Sequence, residues 1–403
     1  MQGIKKGKCL MKILFILEGD LDVRNWSGTT LSLYNVLSDH GMKVSPLEIH
    51  LPKYIRAINK WKRKVSNRSG DLSRGRLCMD YRRNRIQKAL CQDDFDAIFC
   101  VGSIDASAIP ENCGIPVYYY TDGTMAIMKG YYSEFSNWDF QTLKDAEDAE
   151  LIAATNAQKT GGGILATSQW AADSFIRDYG VKRSSVYVVR IGANHMKEYK
   201  SSDINRIISD RIQNIKSMLR ILFVGVDWER KGGPDFLELC RMLKKKGIHY
   251  HADIAGCTPE IPNELKTDVE VHGFLSKANP AQKKILDALY QHAHFFILPT
   301  HAECTAVVFC ESSAYALPSL SYQTGGLGSI IENGTNGFLF PLNNPVNMSD
   351  WVNFILMLQA SPKKYRQLCL SSYDFANHEL TWKSVGNKIV KIITERGTHA
   401  QQS

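Results

Sequence analysis

Two glutamates eight positions apart, Glu303 and Glu311, stand in the stretch FFILPTHAECTAVVFCESSAYALPSLSYQTGG from Phe295 to Gly326. Phe295 to Leu298 is an apolar run short enough for a buried parallel strand, and Pro299 stops it. Thr305 to Ala316 then reads as a helix that Pro318 ends. Ser319 to Tyr322 reads as a further strand, closing on the flexible pair Gly325 and Gly326. A loop therefore leaves a strand and enters a helix start, where first-turn amides lack partners and the helix dipole favours an anion. The amides around Thr305, Ala306 and Val307 would suit a phosphate. Two carboxylates beside a phosphate repel it unless they do something else, such as accept hydrogen bonds from sugar hydroxyls. A nucleotide sugar offers both chemistries. Taken alone, the pair could also be two unrelated surface acids, one of them near a helix start.

The elements that must hold these residues follow from the rest of the chain. At 403 residues the chain is too long for one ordinary core and suits two α/β domains. Its 44% hydrophobic and 10% aromatic content argues for folded domains and against a disordered scaffold. Ten cysteines are scattered singly, several inside apolar runs, which argues against a disulfide or metal framework and fits a reducing, cytoplasmic compartment. Lysines precede the apolar run Lys12 to Leu17, but that run is short and Glu18 and Asp20 follow at once. It reads as a first strand behind a dispensable basic tail rather than as a signal peptide. No apolar run approaches the length of a membrane span, so any membrane contact would be peripheral.

After the first strand, NWSGTTLSLYNVLSDHGMKVSPLEI reads as loop, helix, turn and strand, with Gly28 where strand becomes helix. A glycine there lets a ligand approach the backbone closely, or simply makes a tight turn. IPVYYYTDG is a strand that delivers Asp122 to the same sheet edge, where it could orient an acceptor hydroxyl or cap the following helix. ILATSQWAADSFIRDYGVKRSSVYVVRIGAN gives strand, helix and strand and ends near Asn194, where a second domain begins. That domain opens with RILFVGVDWERKGG, which sets Arg230 and Lys231 just ahead of a helix. Lys277 to Tyr290 reads as another helix, and Ser384 to Thr394 as the last one.

The Glu303–Glu311 spacing, in its strand–loop–helix setting, resembles the Glu-x7-Glu motif of the retaining glycosyltransferases of family 4. The resemblance covers nearly the whole chain from Met11 onward. It implies a GT-B architecture, α/β with two Rossmann-like βαβ domains facing a central cleft. These would be residues 1–194 on the acceptor side, 195–375 for the nucleotide sugar, and 376–403 as a helix packing back on the first domain. By position, Glu303 would contact the donor sugar and Glu311 the nucleotide ribose. Lys231 matches the lysine used on the donor diphosphate, while the arginine usual after the glycine of that strand is replaced by Val226. Arg230 would supply the missing charge. Gly28 matches the family's glycine-rich turn. Gly273 falls where the base edge meets backbone groups, and Gly325 and Gly326 fall with the other donor-binding positions. Many members carry a His near Asp122, and this chain does not.

The implied activity is transfer of a sugar, with retention and without a metal or other cofactor, from a nucleoside diphosphate sugar to an acceptor hydroxyl. The acceptor would be a glycan, a lipid-linked group or a small molecule. A nucleotide-sugar epimerase of the same architecture, or a non-catalytic nucleotide-sugar-binding protein, are the alternatives.

Two stretches lie outside this scheme. Asp94 and Asp96 form a D-x-D pattern of the kind that holds a divalent ion, but they precede the strand AIFCV and read as solvating its start. Lys53 to Lys88 is strongly basic, with Ile55, Ile58, Trp61, Val65 and Leu72 interleaved. It is either a solvated face or an amphipathic segment on an anionic membrane surface. Nucleic acid is a poorer partner, because no base-reading platform accompanies the charge.

Overall fold

The structure, a computed structural model, describes residues 11–66, 68–194, 199–342 and 348–400. The basic tail expected before Met11 lies outside the described residues. Contacts divide the chain into two compact units, Met1–Val189 with Val385–Ser403, and Arg190–Ser384.

The first unit is built on β1 (Lys12–Glu18), β2 (Lys43–Ile49), β3 (Ala97–Val101), β4 (Val117–Thr121), β5 (Gly163–Ala166) and β6 (Val186–Val188), all parallel in the order β2-β1-β3-β4-β5-β6. Strands with helices over both faces need apolar residues on both faces, and every residue of VYYYT in β4 is buried. The second unit repeats the plan with β7 (Leu219–Val224), β8 (Tyr250–Ala255), β9 (Val269–Gly273), β10 (Phe295–Ile297), β11 (Ser319–Tyr322) and β12 (Gly337–Phe340), in the parallel order β12-β11-β10-β7-β8-β9. The α/β class with two Rossmann-like sheets, expected from the sequence, is what the chain adopts. Among the described residues no helix is long and apolar enough to cross a membrane.

In each sheet the strand order reverses once, between β1 and β3 in the first unit and between β7 and β10 in the second. The connections leaving such a pair depart to opposite faces, which opens a crevice at the carboxyl ends of the strands where ligands bind. Both sets of candidate residues stand at these two points.

Some boundaries shift. The helix expected over Thr305 to Ala316 runs Val307–Ala314, because Ala306 is extended and Ala316 turns to a left-handed φ of 53°. The helix expected from Lys277 begins at Pro280. Asn279 caps it, accepting from the amides of Ala281 at 3.0 Å and Gln282 at 3.3 Å, and Pro280 takes the first-turn position that needs no amide hydrogen. Asp96 accepts the Lys12 amide at 2.7 Å, so it ties down the amino end of β1. Asp94 and Asp96 precede the first residue of β3, at the sheet edge opposite the crevice.

Candidate active site

In the second unit, the loop after β7 and the loop after β10 are laced together. The Arg230 carbonyl accepts from the His301 amide at 3.0 Å and from Thr300 Oγ1 at 3.2 Å. Gly232 makes the fit possible. Its φ is 76°, and a Cβ there would lie 1.8 Å from the Pro299 carbonyl oxygen, so any side chain would strain the backbone and push the two loops apart. Asp235, on the helix that follows, takes His301 Nε2 at 2.6 Å and the Tyr322 hydroxyl at 3.1 Å, which fastens the same loop to β11.

This lacing brings Lys231, Arg230 and Glu303 together. Lys231 Nζ donates to Glu303 Oε2, and Arg230 Nη1 lies 3.2 Å from the same oxygen and 2.8 Å from the Ala302 carbonyl. Asp227 holds the other side of the guanidinium at 3.0 Å from Nε. The Glu303 side chain is 10% exposed and that of Lys231 14%, so charges meet here with little water between them. The Glu303 carbonyl accepts the Gly326 amide at 3.2 Å, and Gly325 has a φ of 50°, which places the glycine pair behind the acid. Cys304, Thr305 and Ala306 lead from there into the helix at Val307. Val226 is 69% exposed and brings no charge, and Arg230 stands in the cationic position beside Lys231.

Glu311 sits one turn into that helix and is fully buried. Lys277 Nζ donates to its Oε1, and the Tyr290 hydroxyl reaches Oε2 at 3.4 Å. Lys277 was not singled out from sequence. Read as a helix residue it looks like a solvated lysine, and only the Asn279-Pro280 start shows that it belongs to a loop free to turn back on Glu311. Gly273 ends β9 with a φ of 68°, and its carbonyl accepts the Gly256 amide at 2.8 Å.

In the first unit, Trp26, Ser27 and Gly28 follow one another with φ of 47°, 56° and 91°. Left-handed backbone at two non-glycine residues is strained, and such strain collects at ligand sites. Asn25 clamps the loop by donating to the carbonyls of Glu18 at 2.8 Å and Asp20 at 2.9 Å. A cavity of about 220 Å³ opens at the ends of β1, β3 and β4, lined by Glu18, Asn25, Trp26, Thr30, Gly102 and Asp122. Gly28 caps the next helix directly beside it.

Beneath this cavity lies a charge network invisible in the sequence. Arg82, fully buried, donates through Nη1 to Asp105 and through Nη2 to Glu18 at 2.7 Å. Burial pushes the Asp105 carboxyl up to about 6 despite the guanidinium beside it. Glu150, also buried and bonded by the Tyr119 hydroxyl, is pushed up to about 7 for the same reason.

Residues 219–357 match the family described as Glycosyl transferases group 1. A protein named "Probable sucrose-phosphate synthase" from Thermosipho melanesiensis is 23% identical over 272 residues, which cover 63% of this chain and 60% of that one. The matched region thus spans under two thirds of that relative's length. Among solved structures, sucrose-phosphate synthase from Thermosynechococcus elongatus superposes with a TM-score of 0.68 at 13% identity, over 96% of this chain and all of that one. Anabaena HepE in complex with UDP does so with a TM-score of 0.64 at 16% identity, again over 96% and 100%. The chain has the GT-B fold, and within its second unit residues 219–357 match the family model Glycosyl transferases group 1.

Proposed function

We propose that the protein is a retaining glycosyltransferase that moves a sugar from a nucleoside diphosphate sugar to an acceptor hydroxyl. The observation that carries this reading is the Arg230–Lys231–Glu303 cluster at the reversal point of the second sheet, directly before a helix start. Two cations and a helix start suit a departing diphosphate, and one carboxylate among them suits a sugar hydroxyl. The UDP bound by the HepE relative supports a nucleotide on this fold. The departing phosphate oxygen assists removal of the acceptor proton while Arg230 and Lys231 take up its charge. Asp122, on the first unit, holds the acceptor hydroxyl, which belongs to a glycan, a lipid-linked group or a small molecule.

Screening nucleoside diphosphate sugars by thermal shift identifies the donor, since bound ligand raises the melting temperature by mass action. Anomeric analysis of the product then tests retention. A product of inverted configuration, or no stabilisation by any such donor, overturns the reading.

Glu311 is assigned the ribose. A ribose contact is made in ground and transition states alike, so Glu311→Gln should raise KM for the donor by roughly tenfold to a hundredfold, about 1.5 to 3 kcal/mol, with little change in kcat. Lys277 occupies one Glu311 oxygen and must yield it to the ribose. Steady-state kinetics with varied donor check the assignment, and an unchanged KM removes it.

The cationic pair also stands where other transferases place a divalent ion. Turnover should therefore survive excess EDTA. Loss on chelation, with recovery on magnesium or manganese, would show that a metal rather than Arg230 and Lys231 carries the diphosphate charge.

A further inference from the structure

We propose that the helix Lys53–Val65 docks the first unit on an anionic lipid surface, an inference that stands apart from the transfer reaction. The helix carries Lys53, Arg56, Lys60, Lys62, Arg63 and Lys64 and no acidic residue. At 3.6 residues per turn, Trp61, Tyr54, Val65 and Ile58 fall within about 60° of one another around its axis. All four are exposed, at 62%, 60%, 58% and 36%. Lys62 borders this stripe on one side, and Lys53, Lys60 and Lys64 border it on the other.

A different face ties the helix to the unit. Ile55 is fully buried, Asn59 Nδ2 donates to the Leu72 carbonyl at 3.3 Å and to Cys78 Sγ at 3.2 Å, and Arg63 donates to the Gly70 carbonyl at 2.6 Å. The apolar stripe is therefore held outward by the packing of its opposite side. Further along the basic stretch, charge is largely used internally. Arg68 pairs with Asp139 and Asp145, Arg74 with Asp71, Arg83 with Asp80, and Arg82 with Glu18 and Asp105. The helix differs, for none of its six cations pairs with a carboxylate of the described residues.

An apolar stripe with interfacial aromatics, edged by lysines, matches the headgroup layer of a bilayer, which accepts the rings below and the ammonium groups at phosphate level. A nucleic acid backbone would take the cations but leave the stripe in water. A second copy of the helix would cover the stripe but set six cations against six. An anionic bilayer satisfies both features.

The test uses the full chain with sedimenting vesicles of phosphatidylcholine, alone or with about a third phosphatidylglycerol. The protein should pellet with the anionic vesicles at about 0.05 M salt, stay in solution with the neutral ones, and detach at about 1 M, where the Debye length falls to about 3 Å. Each cation near the surface is worth about fivefold in partitioning, so Lys53, Lys60, Lys62 and Lys64 changed together to Gln should weaken it at least about a hundredfold. Tyr54→Ser with Trp61→Ser should weaken it about tenfold or more. All six positions are solvent-exposed, so circular dichroism and the melting temperature should match the parent. A chain that stays soluble beside anionic vesicles at low salt overturns the proposal. Binding untouched by the Tyr54 and Trp61 changes also overturns it, leaving only charge attraction, and capture of an acidic protein or of nucleic acid in place of vesicles identifies a different partner.

Discussion

Replacing Lys231 by Ala should lower turnover several hundredfold while leaving the fold intact. Charge on the leaving diphosphate grows as the glycosidic bond breaks, so a cation placed on it acts more strongly in the transition state than in the bound donor. Removing one such group costs about 3 to 4 kcal/mol. The structure adds a second loss. Lys231 is a cation on the nearly buried Glu303 carboxylate, and removing it weakens the charge balance that Arg230, at 3.2 Å from the same oxygen, helps to supply. The loss should fall on kcat and on kcat/KM together, since both effects bear on the reacting centre. Lys231→Arg keeps the charge and should recover part of the rate. Near-parental kcat in a folded Lys231→Ala protein would remove Lys231 from the mechanism.

The largest effect on stability is expected at Arg82. Arg82→Met leaves Asp105, 1% exposed, without its counter-ion, and breaking one partner of a buried pair costs about 3 to 5 kcal/mol. The pH dependence follows from the direction of the Asp105 shift. Its folded value is already raised by burial to about 6, so the folded state binds the proton more tightly than the unfolded chain. Stability from this group is therefore lost as pH rises from about 4 through that value. Removing Arg82 takes away the attraction that opposed the shift, so the window moves upward and the deficit should be larger at pH 8 than at pH 5. Urea unfolding at the two pH values measures this. A pH-independent deficit, or one below about 1 kcal/mol, would mean that Asp105 finds another partner. Changing Asp105→Leu in the same protein should restore much of the loss, because well-packed apolar replacements of a buried pair are often neutral.

The fold was legible because burial on both faces writes itself into short apolar runs. FFI, SLSY and AIFCV announced their strands, and their spacing by helical segments announced the parallel order. The site was legible only in part. Glu303 and Glu311 are set apart by local spacing, and Arg230 and Lys231 by a glycine-bounded loop, so a linear reading finds them. Lys277 lies 34 positions before its partner Glu311, and Arg82 lies 64 positions after Glu18, so nothing local marks either as more than a surface cation. In both cases the reading failed where tertiary pairing decides the role of a charge. The basic stretch shows the same limit from the other side. It is uniform in sequence, yet the fold uses Arg68, Arg74 and Arg82 as internal ties and leaves Lys53, Lys60, Lys62 and Lys64 exposed.

The first unit is also discontinuous, and this bears on how the molecule is made. Residues 385 onward contribute Val385, Ile389 and Ile393 to its buried surface, and His40 and Tyr118 bond to Asn387 and to the Ile393 carbonyl. Gly386 rests against Val36, where a Cβ would come within 2.3 Å of a methyl carbon. On the ribosome, the strands of this unit emerge first but wait for the last helix until the whole of Arg190–Ser384 has been synthesised. Closing so long a loop is slow, so the continuous second unit should complete its core first and the older segment should finish last, an order that pulsed hydrogen exchange during refolding would show.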